Sequence, residues 1–197
     1  KKRGVVSTCS YEARKFGVHS AMPMAKAVLL CPQGIIIPGR MERYYEKSCE
    51  VMNIFNNYSP SVQQISIDEA FIEITGTEKL FGKPNELALN LKKTVFEETG
   101  LKVSVGLATN RYIAKIASGR LKPDGFCFVE PGLEYDFIQS LLLKDLWGIG
   151  EKTRLRLEAA GLKTIKDLST CSLGLLKNLL GEAGGAFLFT VLQGKDP

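Results

Sequence analysis

Between Met41 and Val129 the spacing of apolar residues switches from helical to alternating and back, and that succession narrows the folds open to the chain more than any other feature. Met41, Tyr44, Tyr45, Met52 and Phe55 recur at helical spacing until Ser59-Pro60 stop the run. Ile65 and Ile67 then alternate with Gln64 and Ser66. Beyond Asp68-Glu69 the set Ala70, Ile72 and Ile74 alternates with Phe71, Glu73 and Thr75, which is the pattern of a β-hairpin. Asn85 is placed to cap a helix whose Leu87, Leu91 and Val95 share one face and which Gly100 ends. Val103, Val105 and Leu107 alternate as another strand, Thr109 or Asn110 caps a helix reaching Leu121, Pro123-Asp124-Gly125 turn the chain, and Phe126 to Val129 make a short strand. Helix, strand, strand, helix, strand is the split βαβ, ferredoxin-like order without its opening strand. In such a sheet the opening strand lies in the interior, so its absence leaves two neighbouring strands with unpaired edges.

The flanking segments have a different character. Residues 1–40 read as a small, loop-rich unit with a short strand at Gly4 to Ser7, a helical turn from Tyr11, a helix opening near Pro23, and Ile35-Ile36-Ile37 before Pro38. After Glu130-Pro131-Gly132 the pattern is all helical, with Leu141, Leu142, Leu143, Leu155, Leu157, Leu168, Leu175 and Leu176 supplying a core. The chain therefore divides at 1–40, 41–129 and 130–197, an α+β protein with a ferredoxin-like centre and an all-helical C-terminal part.

Composition excludes several classes. At 197 residues, 45% hydrophobic and 24% charged, the chain can bury a core without covalent staples. No apolar run approaches membrane-spanning length, and Lys1-Lys2-Arg3 leads into no secretory hydrophobic stretch, so the chain reads as cytoplasmic with no membrane partner. Five cysteines without CxxC fit neither a disulfide framework nor a zinc ribbon and read as buried thiols. His19 is the sole histidine and reads as a surface or loop residue, which leaves any chemistry to carboxylates and lysines. Residues 1–40 carry seven Lys/Arg against Glu12 alone, while residues 41–129 balance at eleven of each sign. That asymmetry favours an anionic partner and equally fits a merely soluble basic face.

Asp68 and Glu69 stand at the tip of the expected hairpin, where a carboxylate pair is costly unless a cation satisfies it. Oxygen-only ligation favours Mg²⁺ or Mn²⁺ and phosphoryl transfer, while the bland alternative is a solvated tip. Neighbouring strand residues point to opposite faces, so both reach one ion only through a bend or bulge. Thr8, Tyr11 and Arg14 set a hydroxyl, a phenol and a guanidinium near a helix start, an arrangement able to hold a triphosphate; alternatively Tyr11 packs on the core and Arg14 is solvated. Lys122, before Pro123, either reaches a phosphate or settles a helix C-terminus. Leu146-Trp147-Gly148-Ile149-Gly150-Glu151-Lys152-Thr153 reads as a glycine hairpin opening a helix, a device for sequence-independent contact with a DNA backbone, against the plainer reading of a packed helical hairpin.

Together these segments resemble the Y-family, translesion DNA polymerases, closest to the DNA polymerase IV branch. Val6-Ser7-Thr8-Cys9-Ser10-Tyr11 through Arg14 to Val18 resembles the fingers motif, Ser66-Ile67-Asp68-Glu69-Ala70-Phe71 the palm carboxylate motif, and Ser104-Val105-Gly106 through Ala114-Lys115-Ile116-Ala117 to Lys122-Pro123-Asp124-Gly125 the later palm. Gly148-Ile149-Gly150 is similar to the thumb hairpin. The resemblance implies fingers at 1–40, palm at 41–129 and a helix-hairpin-helix thumb at 130–197. It implies two-metal nucleotidyl transfer from a dNTP to a primer 3′-hydroxyl with two Mg²⁺ ions. Asp68 and Glu69 would be the catalytic, metal-binding acids, and Thr8, Tyr11, Arg14 and Lys122 the dNTP contacts. Gly148, Ile149, Gly150, Lys152 and Thr153 would be the DNA contacts. Implied partners are primer-template DNA, the incoming dNTP and, for a parent protein, a sliding clamp. In the family's pattern a first palm strand with another metal aspartate precedes the position of Lys1, and a little-finger domain follows that of Pro197. The expectation is therefore that this chain alone polymerises DNA poorly or not at all. A non-catalytic DNA-binding module is the competing reading.

Overall fold

A computed structural model describes residues 4–197. The chain falls into two compact units, residues 1–46 and 47–197.

In the first unit, α1 (Tyr11–Lys15) starts at Ser10, whose hydroxyl accepts from Ala13 N, and α2 (Met24–Leu30) follows Pro23. The strand expected at Gly4 to Ser7 is reduced to one bridge, Val5 to Pro23, beside hydrogen bonds from Val6 N to Met22 O and from Ala21 N to Val6 O. Too few residues remain extended for a ladder. Val6, Val18, Met22 and Ala27 form the small core, and Ile35 and Ile37 are exposed.

Helix α3 (Met41–Tyr58) runs from the first unit into the second. Its buried face is Ser48, Val51, Ile54 and Tyr58, one step around the helix from the sequence expectation; Met41, Tyr44 and Tyr45 are exposed. Both stripes have helical spacing, and only the tertiary partner selects between them. That partner is α5 (Pro84–Thr99), whose Leu87, Leu91 and Val95 are buried as expected. Asn85 does not cap α5. Pro84 takes the first turn, where its missing N–H costs nothing, and Lys83 is the cap position, its backbone N–H donating to Glu86. Gly100 ends the helix with φ +71°. A short helix, α4 (Glu78–Phe81), precedes it.

The strands form two separate pairs. β1 (Val62–Gln64) runs antiparallel to β2 (Ala70–Ile72), with Gln63 opposite Phe71. β3 (Val105–Leu107) runs parallel to β4 (Phe126–Phe128) through α6 (Arg111–Arg120), a βαβ unit. Among the described residues β2 and β3 do not pair, as the order without its opening strand anticipates. The first strand of the hairpin ends earlier than expected, so Ile65 and Ile67 lie exposed in the connecting loop. That loop is closed by Ile65 N and Ser66 N, which both donate to Glu69 O.

Asn110 caps α6 by accepting from Ile113 N. Gly106 lets α6 lie against β3: a Cβ there would stand 2.1 Å from Ala114 O and 2.4 Å from Ser118 N. From α6 a single core continues through the C-terminal helices α7 (Glu134–Gln139), α8 (Glu151–Ala159), α9 (Ile165–Ser169), α10 (Leu173–Leu180) and α11 (Glu182–Val191). Leu141, Leu143, Leu157, Leu168 and Leu176 belong to it, whereas Leu142, Leu155 and Leu175 face solvent. The cysteines are not the buried thiols expected, since Cys49 is exposed and the other four are half-buried. No helix among the described residues is long and apolar enough to cross a membrane.

Candidate active site and nucleic-acid interface

The carboxylates sit where the β1–β2 loop re-enters β2. Asp68 is exposed, and its Oδ1 accepts from the Ser66 hydroxyl at 2.6 Å; Ser66 Oγ in turn accepts from Asp68 N at 3.3 Å. Glu69, the last residue before β2, is half-buried, and its Oε1 is paired with the Lys115 ammonium on α6. Glu69 is therefore not a purely solvated tip acid, whereas Asp68 remains exposed at the tip. Each acid has one oxygen committed to a partner, and among the described residues Asp68 Oδ2 and Glu69 Oε2 have none.

This donor set fits a hard divalent cation that keeps much of its own water, being carboxylate oxygen with neither sulfur nor imidazole. Among the described residues no third His, Cys, Asp or Glu completes a metal-sized cluster.

Phe71, two residues beyond Glu69, meets Trp147 edge-on, and Trp147 stacks at a tilt on Tyr112, whose ring also meets Phe187. Tyr112 is wholly buried, its hydroxyl donates to Trp147 O at 2.8 Å, and burial pushes its phenol far above the ordinary value. These aromatic contacts fix the Gly148-Ile149-Gly150 hairpin. Gly148 has φ +88°, and a Cβ on it would meet the Phe187 ring at 2.8 Å. Gly150 needs no such freedom; its φ is −77° with open space beside it, and it serves as the cap position of α8. Lys152 and Thr153 lie in the first turn of α8, lining with Gly148, Ile149, Arg156 and Phe187 a concavity of about 210 Å³. A larger groove of about 640 Å³ adjoins it at Ile149, lies between Leu141, Arg154 and Thr164, and includes neither Asp68 nor Glu69.

In the first unit Thr8, Tyr11 and Arg14 are all exposed, and the Arg14 guanidinium lies 5.8 Å from the centre of the Tyr11 ring. Tyr11 thus does not pack on the core. In the second unit Lys122 is exposed, just past the end of α6 and before Pro123. His19 is exposed, its Nδ1 2.8 Å from Ser20 O, as a loop residue should be.

Lys115 and Ser66 carry no role in the sequence reading, yet they hold the two acids. The usable signal for Lys115 is its spacing of four from Arg111 on the polar face of α6. The fold distance from Lys115 to Glu69 is not in that spacing.

A family profile described as impB/mucB/samB matches residues 1–119, more than half of the chain. The chain belongs to the impB/mucB/samB family. A second profile, described as the DNA polymerase-iota thumb domain, matches residues 144–196 and so takes in the hairpin and its helices. Among curated proteins the chain is 61% identical over 194 residues to DNA polymerase IV of Treponema denticola, covering 98% of this chain and 49% of that one. It is 41% identical to DNA polymerase IV 2 of Mesorhizobium japonicum, covering 98% and 47%. The chain thus spans about half the length of these family members. Among solved structures it superposes on DinB from Sulfolobus solfataricus with a TM-score of 0.91 at 32% identity, covering 98% of this chain and 58% of that one. On an insertion ternary complex of Dbh DNA polymerase the TM-score is 0.89 at 32% identity, covering 100% and 58%. The Y-family assignment and its fold, a ferredoxin-like palm with a helix-hairpin-helix thumb, are borne out.

Proposed function

We propose that this chain is the fingers (1–40), palm (41–129) and thumb (130–197) of a translesion DNA polymerase, an enzyme that transfers a nucleotidyl group from a dNTP to a primer 3′-hydroxyl, and that the chain alone polymerises DNA poorly or not at all. The observation that carries the reading is the Asp68–Glu69 pair at the start of β2, tied through Phe71 and Trp147 to the glycine hairpin. Two Mg²⁺ ions, when bound, supply the positive charge that makes the hydroxyl a better nucleophile and neutralises the leaving pyrophosphate.

The protein's own part is placement. Ser66 and Lys115 orient Asp68 and Glu69, which offer their remaining oxygens to the ions. Thr8, Tyr11 and Arg14 are dNTP contacts, the guanidinium a two-pronged phosphate donor, and Lys122 is a dNTP contact that offers a phosphate a point charge. Gly148, Ile149 and Gly150 present backbone to a DNA phosphate, and Lys152 and Thr153 extend that contact. DNA repair in the cytoplasm, and a sliding clamp acting on a parent protein, complete the proposal.

A DNA-binding module without catalysis is the second reading, favoured by the hairpin alone. Binding to a dideoxy-terminated primer-template separates the two. A polymerase core binds this DNA more tightly when Mg²⁺ and the matched dNTP are added, and Asp68→Ala removes that gain. A plain binding module shows no gain, which would overturn the catalytic reading.

A further inference from the structure

The buried face of α6 is Tyr112, Ile113, Ile116 and Ala117, and the close approach at Gly106 fixes how the helix is rotated on β3. Arg111 and Lys115, four residues apart, therefore emerge on one fixed side. Arg111 Nη1 donates to Gln63 Oε1 on β1 at 3.2 Å, and the Lys115 ammonium pairs with Glu69 at the start of β2. The two cations tie the hairpin that carries the carboxylates to the helix of the other strand pair. Lys115 has a side chain only 20% exposed, so its charge is screened less than that of a free surface lysine.

We infer that Lys115 is a positioning residue for Glu69, and that its ammonium sets how tightly the Asp68–Glu69 pair takes a divalent cation. An ammonium is a compact charge without directional demands. It holds Glu69 Oε1 in place while no ion is present, and an arriving ion must share that carboxylate with a like-charged neighbour. Lys115 thus orders the ligand and lowers its affinity for metal at once. The inference rests on reading Asp68 and Glu69 as metal ligands.

The test is a Mn²⁺ titration of this chain followed by electron paramagnetic resonance, with circular dichroism to confirm folding. Lys115→Met keeps the apolar stem and removes the charge, and Lys115→Gln replaces it should the Met variant not fold. Loss of the charge is expected to tighten Mn²⁺ binding roughly twofold to fivefold, within the range measured for partly exposed ion pairs. Lys115→Arg, which keeps the charge, and Lys93→Met, which removes one from the exposed Lys93–Glu97 pair, are expected to match the parent. Equal or weaker Mn²⁺ binding in Lys115→Met overturns the inference, as does the absence of bound Mn²⁺ in both parent and variant. Should Asp68→Asn and Glu69→Gln leave Mn²⁺ binding unchanged, the ions bind elsewhere, and the site reading itself fails whatever Lys115 does.

Discussion

Phe71 and Trp147 meet edge to face with ring centroids 6.5 Å apart, joining the strand that begins after Glu69 to the hairpin that begins at Gly148. A contact of this geometry contributes about 0.5–1.5 kcal/mol beyond the area it buries. A double-mutant cycle of Phe71→Ala and Trp147→Ala in urea is expected to return a coupling in that range. Trp147 is the only tryptophan in the chain, so its fluorescence reports the same contact directly, and Phe71→Ala is expected to shift the emission.

Gly148 combines a left-handed φ with the Phe187 ring beside its missing side chain. Gly148→Ala therefore strains the backbone by about 1–3 kcal/mol and displaces the hairpin. The variant is expected to lose affinity for primer-template DNA while α6 and the β3–β4 pair stay folded by circular dichroism. Lys152→Ala should instead lower the slope of log affinity against log salt by about one and leave stability unchanged.

Asn110 works at both ends of its amide. Its oxygen caps α6, and its nitrogen donates to Gly194 O at 2.9 Å, 84 residues along the chain. Asn110→Ala is expected to cost about 1–2 kcal/mol in urea denaturation. Asn110→Asp keeps the cap and loses the second bond, so it should cost less. Equal losses in the two variants would show that the cap contributes nothing.

Glu134 is held below the ordinary carboxylate value first by the Thr109 hydroxyl and then by backbone hydrogen bonds, including that from Gly132 N. A lowered folded value means that this contribution is complete at neutral pH. It begins to fade as the pH falls towards the unfolded carboxylate value and is gone below the folded one. The melting temperature of the parent is expected to fall relative to that of Glu134→Gln across this acid range, with the two curves running parallel above it.

Much of this molecule is legible in its residues, and the failures have physical causes. The α5 face, a cap for α6 at Thr109 or Asn110 and the Gly100 stop follow from local chemistry, and the structure selects Asn110 as the cap. The α3 face does not, because two apolar stripes share the helix and only contact with Leu87, Leu91 and Val95 chooses Val51, Ile54 and Tyr58. The hairpin loop is misplaced because Ile65 and Ile67 alternate like strand residues while Glu69 O takes the backbone donors of Ile65 and Ser66. The acids and the hairpin glycine are visible in sequence. The lysine that holds Glu69 is 46 residues away along the chain, and no local pattern joins the two.

Primer extension by this chain and by Asp68→Ala, run with Mg²⁺ and dNTPs beside a salt titration of binding to the same DNA, tests the central assignment most directly. With two carboxylates and no third acid clustered with them among the described residues, extension by the parent is expected to be weak. Whatever extension occurs is expected to vanish in Asp68→Ala. DNA binding should survive the substitution and weaken as salt rises. Extension that proceeds equally in Asp68→Ala, or DNA binding indifferent to salt, would contradict the account.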